Sequence, residues 1–329
     1  MPQKEIPNRV SSPTAAPGLD ERLSLDPGLM EALHRVGPRH YVRLVIFLIL
    51  YLGTAGAAFW LAQAWDGSVW VYVANIPFYL LAAASLHGIS LFTHEGVHGS
   101  LSRRPWWNRA LSIACAQPVL QNYSAYKVLH LKHHNHLGEA GDPDHYANYT
   151  SWTWLEFAMH WGRLIIGYPV YIVAIPILGF RHGTSSARRW IIFETCLLAI
   201  LVAGAVCSIP WLLLIHGWLI PMLIINTLVN IRGMSQHTFL EHQSDMVLGT
   251  RSILTNPVTA FFMCNENYHL EHHLYPGIPW YNLPRLHQTL RDDLKALGAP
   301  FIRSYFAFVC EFVVKSLRRS PLGKAKLRG

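Results

Sequence analysis

The chain has 329 residues, of which 51% are hydrophobic and only 14% charged, and its net charge is +8. Soluble domains carry about 25% charged residues, so this composition argues against an ordinary soluble protein, and the high apolar content excludes a disordered chain. Five scattered cysteines form no paired framework, which excludes a disulfide-stabilised domain. We therefore interpret the chain as an integral membrane protein rich in interfacial aromatic residues.

Changes of composition along the chain indicate three regions. Residues 1–40 are rich in Pro, Ser and charged residues and predict a disordered cytoplasmic tail. Residues 41–300 contain all the long apolar stretches and predict one membrane domain. Residues 301–329 predict a basic C-terminal tail that lies against anionic lipid.

Four apolar stretches have about the ~20 residues that a membrane-spanning helix requires. Residues 44–64 and 68–93 predict a first helical hairpin, and residues 190–208 and 211–230 predict a second one. A fifth stretch, 164–180, is shorter and contains two prolines, so we expect it to be interfacial or re-entrant. The fold class that follows is an all-α membrane protein with four transmembrane helices in two hairpins.

The distribution of Lys and Arg predicts the orientation of these hairpins. Residues 1–43, 99–190 and 231–329 contain six, nine and twelve of them, which is all 27, so the two hairpin turns contain none. Because basic residues gather on the cytoplasmic side, both termini and the middle loop are predicted to be cytoplasmic. We expect a multi-pass protein of a bacterial inner membrane, and the basic charge requires no nucleic-acid partner to explain it.

Histidines are the second anomaly, since the chain contains 19 of them. Eight lie in three groups with helical spacing, which places the imidazoles of each group on one helix face. These are His94 and His98, then His130, His133 and His134, and finally His269, His272 and His273. Eight ligands are too many for one catalytic zinc and suit two metal ions, for which an all-imidazole shell favours iron.

The first group leaves a different class of function open. Residues 94–98 read HEGVH, which matches the zincin motif in which the glutamate acts as general base on a zinc-bound water. Intramembrane zinc proteases carry this motif on a membrane helix, so a protease remains an alternative. Metal content separates the two possibilities.

The whole pattern resembles the membrane fatty acid desaturase and hydroxylase superfamily, over about residues 44–290. The most specific part is NYHLEHHLYP at residues 267–276, which is similar to the third histidine box of bacterial desaturases and carotenoid ketolases. The resemblance implies a non-haem diiron centre in a cytoplasmic helical cap. It also implies a ninth ligand, His237, in RGMSQH, where Gln236 replaces the glutamate usual in the family, and it matches Arg251 to the family pattern.

Several polar residues are candidates to support the metal ligands without binding metal. Ligating imidazoles usually donate their second N–H to a carboxylate or carbonyl. The candidates are Glu95, Asp142, Asp144, Gln236, Glu271, Arg251 and His87, the last of which shares a helical face with His94. We rate His136 and His145 as supporting or surface residues, and expect His242 and His287 to lie outside the site. No catalytic residue beyond the metal site is predicted.

The resemblance implies an oxidoreductase of lipid metabolism, and first of all an O2-dependent desaturase of a lipid or fatty acyl chain. The alternative within the superfamily is a diiron hydroxylase or ketolase of a carotenoid or alkyl substrate, since GDPD at residues 141–144 resembles the ketolase branch. In either case the apolar long-chain substrate is expected from the bilayer. Electrons are expected from a soluble ferredoxin-like donor on the cytoplasmic face. The exact substrate, the regiochemistry, the donor and the oligomeric state stay open.

Overall fold

The computed structural model describes residues 23–65 and 67–319, and within them the chain is mostly helical. The α-helices are α1 (Pro27–Leu33), α2 (Arg39–Ala64), α3 (Trp70–Ala74), α4 (Ile76–Val97), α5 (Pro105–Ala116), α6 (Tyr123–Asn135), α7 (Thr153–His182), α8 (Ser185–Ser208), α9 (Trp211–Leu214), α10 (Ile220–His237), α11 (Pro257–Phe262), α12 (His269–Leu274), α13 (Leu283–Ala296) and α14 (Tyr305–Arg319). A π-helical turn (Ile215–Leu219) joins α9 to α10, and short 3-10 helices lie at Gln117–Val119, Tyr146–Asn148 and Trp280–Asn282. Two short strands, β1 (Ser252–Ile253) and β2 (Phe301–Ile302), pair in parallel.

Within the described residues, five helical segments are long and apolar enough to cross a membrane, where the sequence predicted four. Four of them cover the predicted stretches: α2, α4, α8 and the continuous segment Trp211–His237. The fifth is α7, a continuous helix of 30 residues that contains Pro169 and Pro176. The sequence analysis expected an interfacial or re-entrant segment here because of the prolines, but the helix is continuous. Membrane helices tolerate proline because neighbouring groups can bond the carbonyls that proline leaves free.

Two compact units make up the chain, and each has its own core. The apolar unit comprises residues 37–129 and 164–230, and contains most of the length of the candidate spans. The histidine unit comprises residues 130–163, 231–319 and the described part of 1–36. Its core is formed largely by leucines of α1, α12 and α13.

The N-terminal region differs from the predicted tail of residues 1–40. Residues 1–22 lie outside the described part of the chain, but from Leu23 onward the chain packs into the histidine unit. Leu23 and Leu33 are fully buried, and the side-chain amide of Asn282 donates to the Leu33 carbonyl at 2.6 Å. The part of the predicted tail that the structure describes is therefore packed, because Leu23 and Leu33 are buried in the core of the histidine unit.

The C-terminal region differs from its predicted tail in the same way. β2 and α14 occupy most of residues 301–319, and only residues 320–329 lie outside the described chain. On α14 the side chains of Phe308 and Phe312 are buried, and the Trp161 indole N–H donates to the Ser316 hydroxyl at 2.8 Å. On this helix Arg318 is exposed and the Lys315 ammonium lies 2.7 Å from the Glu311 carboxylate, so the described part of the predicted tail contains an amphipathic helix.

Candidate metal centre

Helix α6 carries the second histidine group and is anchored at its first turn. The backbone N–H of Ser124 donates to the Glu194 carboxylate at 3.0 Å, and the Ser124 hydroxyl donates to the same carboxylate. The side-chain oxygen of Asn122 accepts the N–H of Ala125 at 2.9 Å. These bonds satisfy N–H groups that a helix start leaves without partners, and they hold α6 against α8.

Helix α12 carries the third group and is held by β1. The Ser252 hydroxyl accepts the N–H of Leu270 at 3.1 Å and donates to the Glu271 carboxylate. The N–H of Ile253 donates to the Asn267 carbonyl at 2.7 Å, and the Asn267 side-chain amide donates back to the Ile253 carbonyl at 2.9 Å. The two-residue strand therefore fixes the start of the helix that presents three imidazoles.

Arg251 fixes the end of α10, where His237 lies. Its guanidinium donates to the Ser235 carbonyl at 2.8 Å, and its own N–H donates to the Gln236 carbonyl at 2.8 Å. A bond between the His237 Nδ1 and the Gly249 carbonyl, at 3.0 Å, orients the ring so that Nε2 points the other way. Arg251 thus supplies partners to carbonyls that a helix end leaves without them.

Seven imidazoles of the histidine unit converge in two groups. The first group is His130, His134 and His272, and the second is His133, His237 and His273; within each group one nitrogen per ring lies within 4.8 Å of the others. His269 joins the second group, since its Nε2 lies 3.2 Å from that of His237 and 3.0 Å from that of His273. The stacked rings of His134 and His273, 4.1 Å apart, connect the two groups.

These distances fit ligands of shared metal ions. A bond of about 2.0–2.1 Å from metal to imidazole nitrogen separates two ligands at right angles by about 3 Å. The Nε2 atoms of His130 and His134 are 3.0 Å apart, as are those of His269 and His273. Two groups of converging nitrogens therefore suit two metal ions better than one.

The electrostatics also favour the metal-binding form of His273. Six of the seven imidazoles are buried and His237 is half-buried. Burial, with the neighbouring imidazoles, lowers the pKa of His273 well below its usual value. The ring is therefore neutral at pH 7, and a neutral imidazole is what a metal ion binds.

Asp142 is the carboxylate that orients His133, a histidine of the second group. The His133 Nδ1 donates to Asp142 at 2.9 Å, while the N–H groups of Gly138 and Asp144 each donate to the same carboxylate at 2.8 Å. Burial alone raises the pKa of Asp142, but the His133 contact outweighs it and the net pKa is lowered. Asp144 is different, because its side chain is 65% exposed and lies 3.9 Å from the ring.

Glu271 contacts a histidine that the sequence analysis placed outside the site. Its carboxylate is fully buried and accepts hydrogen bonds from Ser252 and from the ring of His287 on α13. The structure thus places His287 against one of the predicted supporting residues, and its effect on activity stays a prediction. The signal was present in the sequence, because His287 has helical spacing from Leu283, Leu290 and other buried residues of α13.

Glu266 is a site residue that the sequence analysis missed. It is buried, and its carboxylate lies 3.7 Å from His269 Nδ1 and 3.6 Å from Arg232. The only signal available was an acid three residues before a box histidine. This acid can compensate the positive charge of a metal centre and of Arg232 together.

The positions of the other predicted site residues say less about metal binding. His94 and His98 belong to the apolar unit, where their rings are 5.2 Å apart at the end of α4, and their part in the metal centre stays a prediction. Glu95 accepts the Ser100 hydroxyl at 2.8 Å, and His87 is buried within α4. In the histidine unit Gln236 is buried, whereas His136 and His242 are exposed and His145 is half-buried.

Comparison with known proteins finds a matching family model and several distant relatives. The family model described as fatty acid desaturase matches residues 73–305. An sn-1 oleoyl-lipid 12-desaturase of Arthrospira platensis is 22% identical over 249 residues, covering 66% of this chain and 70% of the relative. An sn-1 acyl-lipid omega-3 desaturase (ferredoxin) of a Nostoc species is 19% identical over 269 residues, covering 74% and 72%. A beta-carotene ketolase of a Paracoccus species is 25% identical over 213 residues, covering 60% and 72%.

Proposed function

This chain belongs to the fatty acid desaturase family, and we propose that it is an oxygen-dependent desaturase of a lipid or fatty acyl chain with a non-haem diiron centre. The observation that carries the proposal is the shell of seven imidazoles in two groups within the histidine unit. An all-imidazole shell without thiolate favours iron. The proposed ligands include His94 and His98 of the apolar unit as well.

The residues of the chain have separate tasks in this proposal. Bound iron would supply the O2-dependent oxidation of an unactivated C–H bond. Asp142 holds the proton on Nδ1 of His133, which leaves Nε2 free to bind metal, and the Gly249 carbonyl does the same for His237. Burial of the six imidazoles other than His237 excludes water from the ligand shell.

The partners are proposed on the same basis. The apolar helices support a long-chain substrate that enters from the bilayer. An external electron donor of the ferredoxin type is supported by the Nostoc relative, an omega-3 desaturase (ferredoxin). The proposed location is the bacterial inner membrane with both termini cytoplasmic, which rests on the Lys and Arg distribution.

A diiron ketolase or hydroxylase is the second candidate. The observation in its favour is that a ketolase is among the relatives, together with the GDPD sequence at residues 141–144 that contains Asp142. The zinc protease suggested by HEGVH is not supported by the relatives named above.

Lipid and carotenoid profiling of a host that expresses the chain tests these proposals. A desaturase product has lost two hydrogens, whereas a hydroxylase product has gained one oxygen and a ketolase product has gained an oxygen and lost two hydrogens. We expect the first result, with about two irons per purified chain. His272→Ala should abolish turnover and lower the iron content, and the exposed His242→Ala is the matched control. One tightly held zinc with no iron dependence would overturn the diiron proposal.

A further inference from the structure

A large cavity in the apolar unit lies outside the histidine unit and has no part in the proposed chemistry. Its volume is about 1410 Å³, which exceeds the ~300–1,000 Å³ of ordinary small-molecule pockets. It is lined by parts of α2, α5, α8, α9 and the π-helical turn that follows α9, and its lining is mostly apolar. Several lining side chains, among them Leu52, Leu201 and Trp211, are also exposed at the outer surface, so the cavity is an open cleft.

One edge of this cleft is cationic. Arg109 lines it and lies over the Trp190 ring at 4.4 Å. Burial and the nearby Arg109 charge lower the pKa of Lys127, so the two cations are close together. Among the described residues neither of them has a carboxylate within 4.0 Å. The carboxylate of Glu194, whose charge acts on Arg109 from a longer distance, accepts two hydrogen bonds from Ser124. Two neighbouring cations without an ion pair favour binding of an anion.

A polar group lies inside the otherwise apolar lining. The side-chain amide of Gln117 lines the cleft, and its oxygen and nitrogen are both buried without a hydrogen-bond partner in the described structure. An amide that stays unbonded in an apolar setting is costly. Rotation of this side chain into the cleft would let an ester or hydroxyl group of an occupant provide the missing partner.

We propose that this cleft binds one phosphate-bearing glycerolipid of the surrounding membrane. The acyl chains lie along the apolar lining, the phosphate binds at Arg109, and an ester group meets the Gln117 amide. Trp106 and Trp190, which line the cleft on the side of Arg109, are the side chains expected where a lipid headgroup meets its chains.

Native mass spectrometry of the full chain in detergent tests this proposal, with phosphatidylglycerol and a diacylglycerol of the same chains as probes. We expect one saturable phosphatidylglycerol per chain. Arg109→Gln should weaken phosphatidylglycerol binding by about tenfold, the effect of losing one charge-assisted hydrogen bond, and leave diacylglycerol binding unchanged. The exposed Arg291→Gln, which is not part of the cleft lining, is the charge-matched control.

A second pair of variants tests the apolar part of the site. A side chain added at Gly56, which lines the cleft, meets open space, and so does one added at Gly53, which does not line it. Gly56→Phe should abolish binding of both probes, and Gly53→Phe should bind them as the wild type does. Three results would overturn the proposal: full phosphatidylglycerol binding in Gly56→Phe, an equal effect of Arg109→Gln on both probes, or a dimer in place of bound lipid that Gly56→Phe dissociates.

Discussion

Asp142 and Asp144 are a natural pair for separating orientation of a ligand from exposed charge. Asp142→Asn keeps the size of the side chain but removes the charge that holds the His133 proton on Nδ1. We expect activity to fall by about 10- to 100-fold, as is typical when a partner of a metal ligand is lost. Product formation and iron content of the purified variant measure the effect.

Asp144→Asn is the control for this variant. The Asp144 side chain is 65% exposed and lies 3.9 Å from the same ring, so we expect its activity to stay close to that of the wild type. Equal losses in the two variants would show that the negative charge of the loop matters and that the His133 hydrogen bond does not.

His287 supports α12 through Glu271 and so matters for stability. His287→Ala leaves the fully buried Glu271 carboxylate with the Ser252 hydroxyl but without the imidazole. Loss of one partner of a buried polar group costs about 1–3 kcal/mol. Thermal unfolding in detergent should therefore begin at a lower temperature than in the wild type, while the exposed His242→Ala unfolds as the wild type does. Unchanged unfolding of His287→Ala would refute this role.

Residue identity and spacing predicted much of the histidine shell, but not all of its partners. The H-x-x-H-H spacing places three rings on one helix face, and in the structure His130, His133 and His134 contact the third group. An acid close behind the second group predicted Asp142. Glu266 could not be assigned in the same way, because it lies in a turn before α12 and its approach to His269 and Arg232 depends on tertiary packing. The spacing of His287 indicates that it faces the core, but not that it contacts Glu271.

At the scale of elements, Gly96 determines how closely α4 and α5 approach. A Cβ at this position would lie 1.7 Å from the Ser112 hydroxyl oxygen. The Gly96 carbonyl also accepts hydrogen bonds from Asn108 at 2.8 Å and from Tyr123 at 2.9 Å. We expect Gly96→Ala to separate the two helices and lower the unfolding free energy by about 1–3 kcal/mol.

A second substitution makes this expectation specific. Ser112→Gly removes the atoms that the new methyl group would meet, so the double variant should recover much of the lost stability. Gly53→Ala on α2, where a Cβ meets nothing within 4 Å, is the control for a neutral glycine replacement. If Ser112→Gly fails to restore stability, the close approach of α4 and α5 is not the cause of the loss.

Hydropathy predicted four of the long apolar helices. The predicted and observed helices differ where proline content or tertiary packing mattered more than hydropathy. The two prolines of α7 suggested a break, yet the freed carbonyls do not interrupt the helix. In α1 the opposite occurred, since seven residues are too few to be stable alone and this helix exists through its packing on the histidine unit. Packing of that kind is not visible in local composition.

At the scale of the whole molecule, two native cysteines report on orientation. Cys207 is exposed at the end of α8, and Cys310 is exposed on α14. In variants that keep only one cysteine, an impermeant maleimide should label Cys207 in intact cells and Cys310 only after permeabilisation, because the second hairpin turn lacks Lys and Arg. The exposed Ser185→Cys should behave like Cys310 if α7 does not cross the membrane. Labelling of Ser185→Cys from outside would contradict the prediction that both termini are cytoplasmic, and it would also contradict the count of four spans.

The contact between Leu23 and Tyr275 has a consequence for biosynthesis. The Tyr275 hydroxyl donates to a carbonyl 252 residues earlier, so the histidine unit closes only after nearly the whole chain has left the ribosome. The His130, His133 and His134 triplet emerges more than a hundred residues before its partners on α10 and α12. A lone triplet of imidazoles binds copper or zinc more tightly than ferrous iron. If the chain holds the proposed diiron centre, its metal content would depend on timing during synthesis, and a cell that loads iron would have to keep competing metals away from the nascent chain until α12 is in place.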